Sequence, residues 1–192
     1  MMRLFNEARR RKLSLLTRNS SGFTLIEMMV VIGIIGVIIA IAVPNFAAMQ
    51  ANARIRASAY EIAQDLKQIR ERALSTAILH TITFDTANRK YIVTYVGPNG
   101  TVQREFPIAP STGGNIAFGC VMGVTGHPPE GSVDAPAGNG VDFPPNDILE
   151  IDGRGGANRG VIYITDNRKS YAIGINTLGR VKIYQYGNGG WY

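Results

Sequence analysis

From Met28 to Val43 the chain reads sixteen residues without a charge, and extended back to Phe23 the apolar block holds one ionisable side chain, Glu27. At ~1.5 Å per residue, Phe23 to Val43 makes a helix of about 30 Å, the thickness of a bilayer core. This segment constrains everything else: the chain is expected to be anchored in a membrane. Ahead of it lies a basic leader with Arg3, Arg9, Arg10, Arg11, Lys12 and Arg18 against a single acid, Glu7. Positive charge flanking a spanning helix stays in the cytoplasm, so the residues after Pro44 are expected outside. A secretory signal peptide would end its apolar region in a small-residue cleavage site. Here the leader ends at Gly22, before the apolar run, so cleavage after Gly22 would retain the helix and free an amine on Phe23.

The leader also corrects the impression given by net charge. The whole chain carries 20 Lys and Arg against 14 Asp and Glu, net +6. The leader takes 6 of the bases and 1 of the acids, leaving 14 against 13 after Gly22. Bulk electrostatics therefore does not make the remainder a nucleic-acid binder; only a local patch could.

Gly22-Phe23-Thr24-Leu25-Ile26-Glu27, with Pro44 behind it, resembles the processing signature of type IV pilins and type II secretion pseudopilins. The resemblance implies that a prepilin peptidase cuts after Gly22 and methylates Phe23. A carboxylate at Glu27 within apolar surroundings costs on the order of 2.5 to 3.5 kcal/mol unpaired at the bilayer centre, less near the interface. The resemblance supplies a partner, the Phe23 amine of a neighbouring subunit, and makes Glu27 and Pro44 assembly residues. Gly33, Gly36 and Ala40 give small surfaces on which another helix can pack.

Beyond Pro44, where the missing amide hydrogen predicts a kink, Ile55, Ala59, Ile62, Leu66, Ile69 and Ala73 recur at spacings of four and three. Arg54, Glu61, Lys67, Arg70 and Glu71 lie off that stripe, so an amphipathic helix continues to about residue 78. After it the period becomes two. Strands are expected at His80–Phe84, Lys90–Val96, Thr101–Phe106 and Asn115–Val121. A meander of Asp147–Ile151, Val161–Thr165, Ser170–Asn176 and Arg180–Tyr186 follows, with a flexible aromatic tail at its end. Residues 123–145 read as a long loop with Val133, Val141 and Phe143 as anchors. The expected organisation is a leader (1–22), a transmembrane helix (23–44), an amphipathic stalk (45–78) and a periplasmic β-rich domain (79–192). The fold class is α+β, pilin-like, with a long N-terminal helix packed against small antiparallel sheets.

Little in the chain reads as catalytic chemistry. Cys120, the single cysteine, is expected on a strand as a buried, inert thiol. His80 and His127 stand apart from any second metal ligand at a familiar spacing. A Cys120, His127 and Asp134 set has nothing to orient it. The glycine-rich turn with Arg154 and Arg159 could hold an anion in its amides. Asp134, Asp142, Asp147, Glu150 and Asp152 could offer oxygens to Ca²⁺, but their spacing fits no calcium motif. No cofactor and no metal are expected, and no enzyme, a membrane-anchored periplasmic enzyme being the distant alternative.

The domain half resembles the H-type minor pseudopilins of type II secretion and the FimT-like minor pilins, through Val141-Asp142-Phe143, Asp152-Gly153-Arg154-Gly155, Gly160-Val161-Ile162-Tyr163-Ile164 and Gly179-Arg180-Val181-Lys182. That resemblance implies a single-pass subunit of the bacterial inner membrane with a cytoplasmic N-terminus and a periplasmic domain. Its partners would be other pseudopilins or pilins, the prepilin peptidase and an inner-membrane assembly platform. The FimT-like branch adds an alternative, DNA capture. Members that take up DNA carry Gly-Arg-x-Arg where this chain has Arg180 and Lys182, with Trp191 and Tyr192 near enough in sequence to stack on bases.

Overall fold

The structure, a computed structural model, describes residues 22–109, 115–132 and 138–192. The leader before Gly22, Val133 and Asp134 lie outside the described residues. Among the described residues one helix, α1 (Leu25–Thr76), is followed by ten strands. They are β1 (His80–Asp85), β2 (Lys90–Gly97), β3 (Gly100–Pro107), β4 (Ala117–Phe118), β5 (Val141–Asp142), β6 (Ile148–Ile151), β7 (Gly160–Thr165), β8 (Ser170–Ile175), β9 (Val181–Gly187) and β10 (Gly190–Trp191). The chain divides into two units at Val43 and Pro44.

In the first unit, Leu25 to Val43 form a helix with every residue exposed. It is long and apolar enough to cross a membrane. The helix runs on through Pro44 without a break.

In the second unit the stripe read from periodicity is the buried face of α1: Ile55, Ala59, Ile62, Leu66, Ile69 and Ala73 are all buried, with Ser58 and Ala63 beside them. They join one apolar cluster with Ile82, Tyr91 and Val93 of the first sheet and Ile162, Ile164, Tyr171 and Ile173 of the second. Tyr91 also donates its hydroxyl to the Asp65 carboxylate of α1, and burial pushes that phenol well above its ordinary range.

Both sheets are antiparallel. The first has the order β3-β2-β1-β6, the second β10-β9-β8-β7-β4, with β5 sharing the outer edge of β7 beside β4. This corrects the expected meander: β6 pairs with β1, His80 opposite Ile151, and only β7 to β10 run as consecutive neighbours. The segment expected as a strand from Asn115 to Val121 keeps two ladder residues.

Every residue of β7 and β8 is buried, so both faces of that sheet are covered. Alternate residues face the main core, while Val161, Tyr163 and Ala172 form a second cluster with Cys120, Tyr184 and Trp191. The cover is the segment expected as a long loop. Trp191 Nε1 donates to the Gly126 carbonyl at 3.0 Å, Tyr184 donates to Glu130 Oε1 at 3.1 Å, and Ser132 donates through its amide and hydroxyl to Asp142. The expected flexible tail is ordered for the same reason. Gly190–Trp191 pairs with β9, and Tyr192 exchanges two backbone bonds with Gln185.

Candidate functional site

Gly22 and Phe23 precede the helix in exposed, non-helical backbone, where a peptide bond is open to a protease. Thr24 caps the helix: its Oγ1 accepts the Glu27 amide at 3.2 Å, and its carbonyl accepts the Met28 amide at 3.2 Å. This is one half of a capping box, with Glu27 at the third helical position. Glu27 thereby stands in the first turn, where the positive end of the helix favours an anion. Cleavage after Gly22 would add the Phe23 amine just outside that turn. A Cβ built at Gly22, Gly33 or Gly36 meets nothing within 4 Å. The described fold therefore does not demand glycine at these positions.

Residues 17–43 match the prokaryotic N-terminal methylation motif. That match takes in the exposed apolar helix as far as Val43. Among solved structures, a structure of the minor pseudopilin EpsH from the type 2 secretion system of Vibrio cholerae aligns at 14% identity with a TM-score of 0.44, covering 68% of this chain and 94% of that one. A crystal structure of the same Vibrio cholerae protein aligns at 12% identity with a TM-score of 0.47, covering 72% and 98%. No curated protein matches the chain.

The second candidate region is a groove between α1 and the start of β9. Lys67, Arg70 and Glu71 line one side, and Gly179, Arg180, Val181 and Lys182 line the other. Arg180 and Lys182 are both exposed. Arg70 is committed to structure, donating Nε to the Gly155 carbonyl at 2.8 Å and Nη2 to the Leu178 carbonyl at 3.2 Å. Gly179 has φ +68, and a Cβ there would stand 2.2 Å from Gly155 O and 2.5 Å from Arg70 Nε. The glycine of Gly179-Arg180-Val181-Lys182 is thus required by the turn that Arg70 pins. Lys67, which sequence reading did not single out for this region, lines the same groove as Arg180 and Lys182. Its signal was present, in that Lys67 and Arg70 lie three apart and off the apolar stripe.

The structure does not bring the aromatic tail to that groove. Trp191 sits opposite Tyr186, five residues along β9 from Val181, which is about 17 Å of strand. Its ring packs on Tyr163 and Tyr186 at 5.5 and 5.3 Å, so it is not free to stack on a base.

The remaining candidates separate. Cys120 is half-buried just past β4 rather than within a strand, and burial pushes its thiol up to about 12 against a smaller lowering by Ser170, which leaves it protonated and inert. His80 is buried at the start of β1; its Nδ1 donates to the Ile78 carbonyl at 2.9 Å and its ring stacks on Tyr95. His127 Nδ1 donates to the Pro128 carbonyl at 2.8 Å. The glycine-rich turn is filled by its own carboxylate, since Asp152 Oδ1 accepts the amides of Arg154 and Gly156. Asp142 and Asp147 are similarly occupied, by Ser132 and by Asn139 with Phe143. Among the described residues no three acids, histidines or cysteines gather as a metal site.

Arg159 has a role that the sequence gave no signal for. It donates to the carbonyls of Pro129, Glu130 and Gly131 at 2.6, 3.1 and 3.1 Å, clamping the covering loop onto the second sheet.

Proposed function

We propose that this chain is a non-catalytic filament subunit of the minor pseudopilin or minor pilin kind. It is inserted once in the bacterial inner membrane with its leader in the cytoplasm, cleaved after Gly22 and methylated on Phe23. The observation that carries this reading is the methylation motif at residues 17–43, whose helical part, Leu25 to Val43, has every residue exposed. An exposed apolar helix of this length is stable only in lipid or against sister helices. In this reading Glu27 pairs with the Phe23 amine of a neighbour and sets register, and the sheet domain meets other subunits on the periplasmic side. The H-type pseudopilins and FimT-like pilins are the branch it fits, through the strand and turn motifs of its domain.

The test is the intact mass of the native chain from cells with and without the prepilin peptidase. Loss of residues 1–22 and gain of one methyl group are expected only with the peptidase. A chain that keeps its leader in its presence overturns the reading. Glu27→Val is expected to be processed normally and to be lost from filaments. Co-purification of the processed chain from native membranes assigns it to a secretion pseudopilus or a pilus by the partners it brings.

A second reading follows from the groove, where Lys67 adds to Arg180 and Lys182 along one side of the domain. Lys67, Arg180 and Lys182, beside Arg70 and the single acid Glu71, can follow a phosphate backbone, and lysine at position 182 contacts phosphate without the fork of arginine. Retardation of single-stranded DNA by the full-length protein, falling with salt and lost in Arg180→Ala with Lys182→Ala, supports DNA capture. No retardation at low salt ends it.

A further inference from the structure

Among the described residues the first sheet ends on a strand, β3, whose outer edge is unpaired. All eight residues of β3 pair with β2, and the other side of β3 meets no strand among the described residues. An edge of that length presents a row of backbone donors and acceptors suited to strand addition. Natural edges of this kind are guarded by charge, and β3 carries two charged residues, Arg104 and Glu105. Glu105 is already paired, with Lys90 at 2.9 Å. Arg104 is exposed, and among the described residues no hydrogen bond or ion pair engages its guanidinium.

Arg104 borders a cavity of about 120 Å³ between α1 and the inner face of the sheet, with Asp65, Gln68, Arg72, His80 and Tyr95 among its walls. Arg72 is likewise exposed and its guanidinium likewise unengaged among the described residues. The single acid of the cavity, Asp65, accepts the hydroxyl of Tyr91. Two cations with no partner among the described residues thus line the cavity with one acid, Asp65. A cavity of about 120 Å³ gives room for a side chain.

The two features adjoin. A strand laid on the outer edge of β3 would stand about 4.8 Å away, and its residue opposite Arg104 would point to the same face, toward the cavity. We infer that the outer edge of β3 accepts an extended segment of a partner polypeptide as an added strand, with an aspartate or glutamate of that segment received between Arg72 and Arg104. Backbone bonds supply the attachment and the two guanidiniums select the side chain. The inference is independent of the filament reading, because it concerns any extended acidic segment that reaches this edge.

The experiment uses the full chain, ¹⁵N-labelled in lipid nanodiscs, and two blocked peptides, Thr-Val-Asp-Val-Thr and its Asn counterpart. The amide signals of β3 are expected to shift saturably, with the Asp peptide binding about tenfold more tightly than the Asn peptide at low salt. Arg72→Gln with Arg104→Gln is expected to erase that preference while β3 still responds. Arg104→Lys, which keeps the charge, retains part of the preference and serves if the double variant is poorly folded. Methylating alternate backbone amides of the peptide is expected to abolish binding. Unmoved β3 amides at millimolar peptide, equal binding of the two peptides, or equal shifts with acetate alone would each overturn the inference.

Discussion

At the scale of single residues, Arg159 holds the outer cover of the second sheet. Three carbonyls of one loop converge on its guanidinium, and hydrogen bonds to charged groups contribute about 1.5–3 kcal/mol each when measured singly. The three share one donor group, so Arg159→Ala is expected to cost about 2–4 kcal/mol in denaturant unfolding. Hydrogen exchange should quicken first in residues 123–132. Two other side chains make stability fall in alkali. Burial pushes the Cys120 thiol from 9.0 up to about 12, and burial, with the hydroxyl's bond to Glu130, pushes Tyr184 from 10.0 up to about 12. Both groups bind their proton more tightly folded than unfolded. Their contribution is therefore whole below about pH 9 and is lost as pH rises toward 12. Thermal melts across pH 8–12 should show the decline, and Cys120→Ala with Tyr184→Phe should lessen it, leaving the part that the buried Tyr91 phenol carries.

At the scale of elements, the second sheet depends on close approach at β7. Gly160 lies at its start, where a Cβ would stand 2.2 Å from the Phe143 ring and 2.4 Å from the Asp142 carbonyl. Gly160→Ala must push β5 off the edge of β7 and is expected to cost about 2 kcal/mol or more, read as a lowered melting temperature. Gly33→Ala is the control, because its new methyl meets nothing within 4 Å. It should leave the melt of the domain unchanged and report only on packing with other helices. The amphipathic part of α1 was largely legible in sequence, since a stripe at helical spacing has one face to bury and all six stripe residues are buried, joined by Ser58 and Ala63, which the stripe did not include. β4 was not. Asn115–Val121 has the composition of a strand, yet the outer edge of β7 is shared with β5, which leaves β4 two ladder positions.

At the scale of the whole molecule, every buried apolar residue from Ile55 onward belongs to the unit that begins at Pro44, and the helix before it buries nothing. A chain beginning at Pro44 is expected to fold alone and stay soluble, with the melting temperature of the domain in the full-length protein; aggregation of that fragment would contradict the division. The sequence by itself determined the processing motif, the apolar helix, the amphipathic stripe and the alternation of most strands. Each of these is written in spacings of a few residues, because a helix or strand has a fixed period wherever it ends up. Only the tertiary structure decided that β6 leaves its sequence neighbours to pair with β1, since its alternation suits either sheet. The same holds for the loop and tail that close the outer face of β7 and β8. Their glycines, prolines and polar residues carry no period, and their order comes from partners such as Arg159, Tyr184 and Gly126 that lie far away along the chain. Lys67 came to line a groove with Arg180 and Lys182 for that reason too: it depends on where a turn pinned by Arg70 sets down on the helix, which no local pattern records.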